Sequence, residues 1–347
     1  MSIARSAEST PIDVVISWVD GSDSSFTQKL KPYLNGRPRS TIPGASLTRF
    51  ASVNEIRYCV LSILTFAPFV RRIFIITDNQ KPPIFEDIEK LFPERLGSIS
   101  IVDHREVFSD YEEYLPTFSS RSIESMMWRI EGLANHFVYF NDDNFLVRPV
   151  QPKDWFADGK PVLRGKWGIA PIPRLCWYWA TWFVQRYVLR KVNFEPRPSF
   201  HIGQWHAAQL AGYKLRYFVS SHTPHAVERE TVANYFTQNP STLKKNISHK
   251  FRNHSQFNFV SLSNHLQINR GNRQFAKPSL VYMQPVKRGK GYIDKKLAQC
   301  QRNEQIKFLC AQSLEQCCPS DREKLFGWLE SILKLSSTGK ILCAAKQ

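Results

Sequence analysis

The feature that most constrains this chain is the run His136-Phe137-Val138-Tyr139-Phe140, which passes directly into Asn141-Asp142-Asp143. A short apolar run rich in aromatic and β-branched residues and closed by turn-forming polar ones reads as a buried strand. Such a strand, ending in two adjacent carboxylates, puts negative charge at the carboxyl edge of a sheet, where open α/β folds bind ligands. Carboxylates at that edge can hold a divalent cation against phosphates, with water and substrate oxygens in the remaining positions. The same three residues also read as a polar turn that caps the strand.

The preceding sequence repeats the pattern. Residues 12–19, IDVVISWV, read as a buried strand between Pro11 and Asp20-Gly21, which sets Asp20 and Asp23 on the first loop at the same edge. Ser52 with Glu55 three residues later predicts a capping box that opens a helix through CVLSILTF, ended at Pro68. RRIFIITD is a second strand, finishing at Asp78, SISIVDH is a third, and a helix from about Ser120 leads into the fourth. Strand, helix, strand in repetition predicts the α/β class: a Rossmann-like, mostly parallel sheet with helices on both faces. The first, second and fourth strands end in clusters containing Asp, so their carboxyl ends are expected to converge on a nucleotide-type pocket.

Charge separates the halves. The formal net charge is +17, yet residues 1–150 carry 16 Lys and Arg against 19 acids while residues 151–347 carry 31 against 11. The second half is therefore expected to face something anionic. Within it, LRYFVSS reads as a strand and His222 and His225 as loop residues after it. Arg252 sits among His249, Lys250 and His254. Histidine suits a general base near neutral pH and arginine a bidentate phosphate clamp. The aromatic run 175–192, LCWYWATWFVQRYVLRKV, has two readings, a helix packed on the sheet or an amphipathic helix at a membrane surface. Packing is the expectation, because aromatic stripes are most often core. Residues 287–302 read as a basic loop and FLCAQSLEQCCPSDREKLFGWLESIL as helices.

Seven scattered cysteines argue against a disulfide scaffold and for a reducing cytoplasm. The cluster Cys300, Cys310, Cys317, Cys318 lacks the paired spacing of a zinc ribbon. The polar N-terminus suggests no secretion, and no apolar run approaches the roughly 20 residues a membrane span needs.

Ile12-Asp13-Val14-Val15-Ile16-Ser17-Trp18-Val19-Asp20-Gly21-Ser22-Asp23 resembles the first signature block of the Stealth family. That family comprises bacterial capsular polysaccharide (hexose-1-phosphate) phosphotransferases and the catalytic subunit of animal N-acetylglucosamine-1-phosphotransferase. A second block is similar across Arg49-Phe50, Asn54-Glu55-Ile56-Arg57-Tyr58, Ala67-Pro68, Leu115-Pro116-Thr117-Phe118 and Asn141-Asp142-Asp143. A third resembles His222-Thr223-Pro224-His225 with Phe251-Arg252. The fourth block, around Cys310 to Glu315, departs from the family pattern.

The resemblance implies a nucleotide-sugar-binding, glycosyltransferase-A-like fold. A catalytic domain is expected over 11–260, with a nucleotide half at 11–150 and a phosphate and acceptor half at 151–260, followed by a basic helical extension over 261–347. The implied reaction moves a sugar-1-phosphate from a UDP-sugar to a hydroxyl of an anionic capsule polymer, forming a phosphodiester and releasing UMP. Asp142 and Asp143 would hold Mg²⁺ or Mn²⁺ on the diphosphate, and Arg252 would carry developing charge. Either His222 or Asp143 would serve as base. Trp18, Asp20, Gly21, Asp23, Asn54, Glu55 and Arg57 would line the nucleotide-sugar side, with Glu55 also readable as a simple helix cap. The location implied is cytoplasmic, with anionic inner-membrane lipid as a second partner. Two rivals remain: a UDP-sugar glycosyltransferase releasing UDP, and a polyanion-binding protein without catalysis. Nucleic acid is not expected, because the acidic strand ends would repel a phosphate chain.

Overall fold

The computed structural model describes residues 10–191, 194–286 and 288–335. The N-terminus through residue 9, the end of the aromatic run at Val192, Lys287, and the tail from Ser336 with Cys343 lie outside the described residues.

In chain order the strands used below are β1 (Ile12–Ser17), β2 (Ile73–Thr77), β3 (Ile99–Asp103), β4 (His136–Asn141), β5 (Asn144–Leu146), β6 (Leu163–Ile169), β7 (Arg216–Ser220), β8 (His225–Glu228), β9 (Phe275–Ala276), β10 (Leu280–Met283) and β11 (Phe308–Ala311). The main sheet has the order β8-β4-β1-β2-β3, parallel except for β8, which runs antiparallel to β4. This is a Rossmann-like, mostly parallel α/β sheet. Its two faces follow the strand period of two. Ile12, Val14 and Ile16 of β1 with Val138 and Phe140 of β4 join one apolar cluster, while Val15, Phe137 and Tyr139 join the other.

The first cluster is covered by α1, the helix Glu55–Phe66, in which Ile56, Val60, Leu61, Ile63 and Leu64 are buried. Truncating any one of its buried leucines to alanine should cost about 2–5 kcal/mol. The predicted capping box is absent. Asn54 is the N-cap, in the left-handed region at φ 75°, and the Glu55 carboxylate accepts from the backbone N–H of Val53 instead. Ser52 is already engaged, its Oγ accepting from Trp18 Nε1. At the opposite strand end, fully buried Asp13 accepts from Arg71 Nε at 2.9 Å and from the Ala134 N–H at 2.8 Å, pinning the start of β1.

Three expectations for the second half change. Tyr292–Arg302, read as a loop, is a helix whose Ile293, Leu297 and Cys300 are buried. Phe308–Ala311, read as helical, is the fully buried strand β11, central in a small sheet of order β10-β11-β5. His225 is not on a loop but opens β8. The C-terminal part does hold helices, Tyr292–Arg302 and Pro319–Ile332, but it also supplies two strands of the small sheet built on β5, the strand that follows β4. Its Val281, Phe308 and Leu325 belong to the same cluster as β1, so the core runs on past residue 260.

The largest correction concerns α2, the helix Ile172–Phe183. No residue of it is buried, and Trp177 is 75% exposed. It does not pack into the sheet as expected.

Candidate active site

Beyond β4 and β1 lies a cavity of about 520 Å³. The register sets Ser17 beside Asn141, so both strands end at its floor. Ser17 Oγ and Tyr139 Oη share a hydrogen bond of 2.9 Å, and Tyr139 Oη donates to Asn141 Oδ1 at 2.8 Å, which fixes the strand ends against each other.

Asp142 and Asp143 form the turn between β4 and β5 and line this cavity together with Glu55 from the start of α1. Burial first, then the neighbouring Glu55, pushes the Asp143 carboxyl up to about 6, and the same two causes with Asp143 raise Asp142 well above the ordinary range. Glu55 is raised by burial. Mutual repulsion of recessed carboxylates is what a bound cation would relieve. Asp143 Oδ1 accepts from Asn144 Nδ2 at 3.0 Å and faces the Cys310 thiol, both neutral donors. Among the described residues no group of three or more His, Cys, Asp or Glu side chains is arranged to hold a metal ion. The paired carboxylates of this turn fit a hard divalent cation that keeps its remaining positions for water and phosphate oxygens.

The facing wall is cationic. Arg252 lines the cavity, with its Nε donating to Ser120 Oγ at 2.9 Å and Nη2 donating to the same oxygen. Its position is held by local packing. Phe251 stacks on Phe118 at 5.5 Å, and the Phe118 N–H donates to the Lys250 carbonyl. Gly44, at φ 82°, presses on the Arg252 backbone so closely that a Cβ would lie 2.7 Å from its nitrogen.

Sequence reasoning missed two further arginines. Arg49 lines the cavity, and Arg252 first, then the surrounding protein and Arg121, bring its pKa down to about 9. Arg121 is brought to about 10 by burial and then Arg252, and is braced by the carbonyls of Ser199, Asn253 and Gln256. Three guanidinium ions that repel one another form a ready anion site. Their signal was weak in the sequence: Arg49-Phe50 stands out only as part of a block, and no spacing connects 49, 121 and 252.

A second cavity of about 160 Å³ adjoins the first through Arg49, Asn141, Arg252 and Gln312. His222 lines it, its ring stacked between Phe200 at 4.5 Å and Tyr282 at 5.0 Å. Burial and then His201 lower its pKa, which favours the neutral ring. His225 beside it is brought to about 3 by burial and then His222.

The structure thus brings together Trp18, Glu55, Asp142, Asp143 and Arg252 in one cavity and His222 in its neighbour. The remaining candidates lie elsewhere. Asp20 Oδ1 accepts from Ser22, Asp23 caps the helix Ser24–Leu30, and Gly21 packs against the Phe50 backbone. Asp78, at the end of β2, is paired with Lys29 at 2.7 Å. Arg57 points to the outer side of α1, held by Asp87 at 2.7 Å and by Glu330 at 3.5 Å, and Asn54 serves as the N-cap. Of the acidic strand ends, the one after β4 reaches the cavity. Gln312 and Glu315, from the loop after β11, line the large cavity and were not anticipated.

Comparison with known proteins now bears on this arrangement. The profile of Stealth protein conserved region 1 matches residues 10–38, and that of conserved region 2 matches residues 49–162. The capsular polysaccharide phosphotransferase cps1A of Actinobacillus pleuropneumoniae is 41% identical over 150 residues, 43% of this chain and 39% of that protein. The chain thus spans well under half the length of such capsular relatives. The solved structure of the galactosyltransferase LgtC with donor and acceptor sugar analogs aligns over 92% of this chain and 95% of that one. At 10% identity and a TM-score of 0.43, that superposition is too loose to carry an argument. The receptor polysaccharide phosphotransferase WefC of Streptococcus oralis is 30% identical over 289 residues, 78% of this chain and 81% of that protein. With both conserved regions present and a relative matched along most of its length, the chain belongs to the Stealth family.

Proposed function

We propose that this chain is a polysaccharide phosphotransferase that moves a sugar-1-phosphate from a UDP-sugar to a hydroxyl of a growing capsule-type polymer, with release of UMP. The observation that carries this reading is one cavity with carboxylates on one wall and arginines on the other, at the ends of two parallel strands. A diphosphate needs both walls. Asp142 and Asp143 would hold Mg²⁺ or Mn²⁺, which when bound neutralises the diphosphate and polarises its oxygens. Arg252, with Arg49, is suited to charge that develops on the transferred phosphoryl oxygens. Trp18 and Glu55 line the same donor cavity.

His222 is the base this reading favours over Asp143. Burial favours its neutral form, it lines the smaller cavity, which shares Arg252 with the larger one, and two aromatic rings stack on it. An acceptor hydroxyl there would lose its proton to His222 while its oxygen attacks the phosphorus next to the sugar; the bond to the UMP oxygen breaks and the sugar keeps its anomeric configuration. The excess of positive charge over residues 151–347 would hold an anionic polymer through many salt-sensitive contacts. Elongation should therefore become distributive as salt rises. A cytoplasmic location, peripheral at the inner membrane, suits a UDP-sugar donor; among the described residues no helix is long and apolar enough to cross a membrane.

Incubation with several UDP-sugars, Mg²⁺ or Mn²⁺ and a capsule oligosaccharide, followed by identification of the nucleotide, tests the reaction. UMP is the expected product. UDP would reassign the same cavity to glycosyl transfer, and no turnover with any donor would reject the reading.

A further inference from the structure

The helix α2 and the π-helical turn that continues it, Val184–Val188, present a row of large apolar side chains outward. The half-buried positions are Leu175, Tyr178, Thr181, Trp182 and Gln185, at spacings of three and four that define one inner stripe. The outer stripe holds Trp177, Trp179, Phe183, Val184, Tyr187 and Val188, each 44% exposed or more. A helix that holds Leu175, Tyr178 and Trp182 against the protein and still turns two indoles and a phenyl ring to water carries more apolar surface than this fold covers. The rings are organised among themselves. Trp179 meets Trp182 at 5.8 Å, Trp182 meets Tyr187 at 5.6 Å, and Phe183 meets Tyr187 at 5.1 Å.

The surrounding charge says what covers this face. Between residues 159 and 227 the chain carries ten Lys and Arg against the single acid Glu195. Arg186 lies over the Trp182 ring, Arg190 and Lys191 follow the helix and are exposed, and Arg216 lies over Trp167 on the adjacent sheet. At the near end of the helix, Ile169 and Leu215 are exposed by 82% and 81%. A second copy of the chain would bring the same positive charge against itself. Exposed Trp and Tyr rimmed by Arg and Lys match the interface of an anionic bilayer, where rings sit at headgroup depth and cations meet lipid phosphates.

We propose that the outer face of Ile172–Phe183 and the turn after it lies flat on an anionic lipid bilayer as the chain's peripheral docking surface. This deepens the membrane placement in the proposed function and also orients the site. Tyr178, on the inner stripe, meets the His254 ring at 5.5 Å and lies close to Arg121, which lines the smaller cavity with Pro198 and Phe200. Docking through α2 sets the acceptor-side cavity, rather than the donor cavity, next to the lipid surface.

The test uses the full chain and two vesicle types, phosphatidylethanolamine with phosphatidylglycerol, and phosphatidylcholine alone. The wild type should pellet with the anionic vesicles, with a blue shift in tryptophan emission, and should release as salt rises. The variant Trp177→Ser/Trp179→Ser/Phe183→Ser should bind at least about tenfold more weakly, and Arg190→Gln/Lys191→Gln should bind more weakly to the anionic vesicles alone. Both should keep the wild-type melting temperature and turnover on a soluble oligosaccharide. Absence of wild-type binding, or equal binding by the triple variant, overturns the proposal. So does vesicle-free self-association that the triple variant abolishes, since that would give the face to a second copy. Vesicle binding needs no substrate, so a failure of the transfer reaction and a failure of docking are read separately.

Discussion

The two walls of the cavity are assembled by opposite routes. Asn141, Asp142 and Asp143 are consecutive, and one strand end delivers them; Arg49 and Arg252, with Arg121 behind them in the adjoining cavity, come from three loops and helices spread over about two hundred residues. Each wall concentrates like charge, and each is held differently. The carboxylates ride on a hydrogen-bonded turn between β4 and β5, where burial and Glu55 raise their pKa values. The arginines repel one another and need brackets: backbone carbonyls for Arg121, and Ser120, Gly44 and a stacked Phe251 for Arg252. A local acidic cluster requires a strand end, whereas a cationic cluster requires a finished fold.

The comparison can be broken at either wall. Asp142→Ala and Asp143→Ala should each lower turnover by about two orders of magnitude or more, with the fold intact by circular dichroism; near-normal rates in both would remove the acidic wall from the chemistry. Their melting temperatures should hold or rise, because each change relieves repulsion among recessed carboxylates. Arg252→Ala should cost about 10²–10³ in turnover, and lysine should not restore it, since a point charge lacks the planar fork. Wild-type-like rates with lysine would reduce the arginine wall to bulk charge.

Gly44→Ala sharpens the contrast, because it touches no acidic residue. The added methyl forces the Arg252 backbone aside and should cost about tenfold in turnover, a misplacement effect. Unchanged kinetics would show that the segment yields. The pH profile addresses His222 itself. A base must be unprotonated, and burial lowers the His222 pKa from its ordinary value, so kcat/KM should hold at neutral pH and fall on the acid side. His222→Gln should lower kcat/KM and shift that acidic limb, leaving the part that belongs to the Asp142 and Asp143 carboxyls, which burial and Glu55 also raise. A limb that persists unchanged in His222→Gln would transfer the base role to Asp143. The smallest effect belongs to Arg57→Ala, which should leave turnover unchanged and alter stability by within about 1 kcal/mol, since its partners are Asp87 and Glu330.

Legibility followed the same division. The four parallel strands are readable because each is a short apolar run closed by turn residues, and the observed bounds Ile12–Ser17, Ile73–Thr77, Ile99–Asp103 and His136–Asn141 lie within or next to those runs. The strand Phe308–Ala311 was misread because four apolar residues show no period that separates strand from helix. Tyr292–Arg302 was misread because its lysines masked the three buried positions Ile293, Leu297 and Cys300. The aromatic helix at Ile172 failed for a different reason. Its apolar content does reveal amphipathic character, but whether a stripe faces a sheet or the outside depends on what else the sheet has already buried.

Within the site, Asp142, Asp143, Arg252 and His222 were candidates from residue type and strand-end position, while Arg49, Arg121, Gln312 and Glu315 were not. Arg57 and Asp78 show the reverse: chemistry-bearing residues near the right elements that the fold spends on ion pairs. By itself, the sequence determined the mostly parallel sheet and the acidic end of β4, because strand periodicity and turn chemistry act over a few residues. Only the tertiary structure decided which cations face that end, which carboxylates are neutralised elsewhere, and that the tryptophan helix lies outside the core. Those outcomes depend on long-range packing, in which a side chain's role is set by the neighbours that close over it.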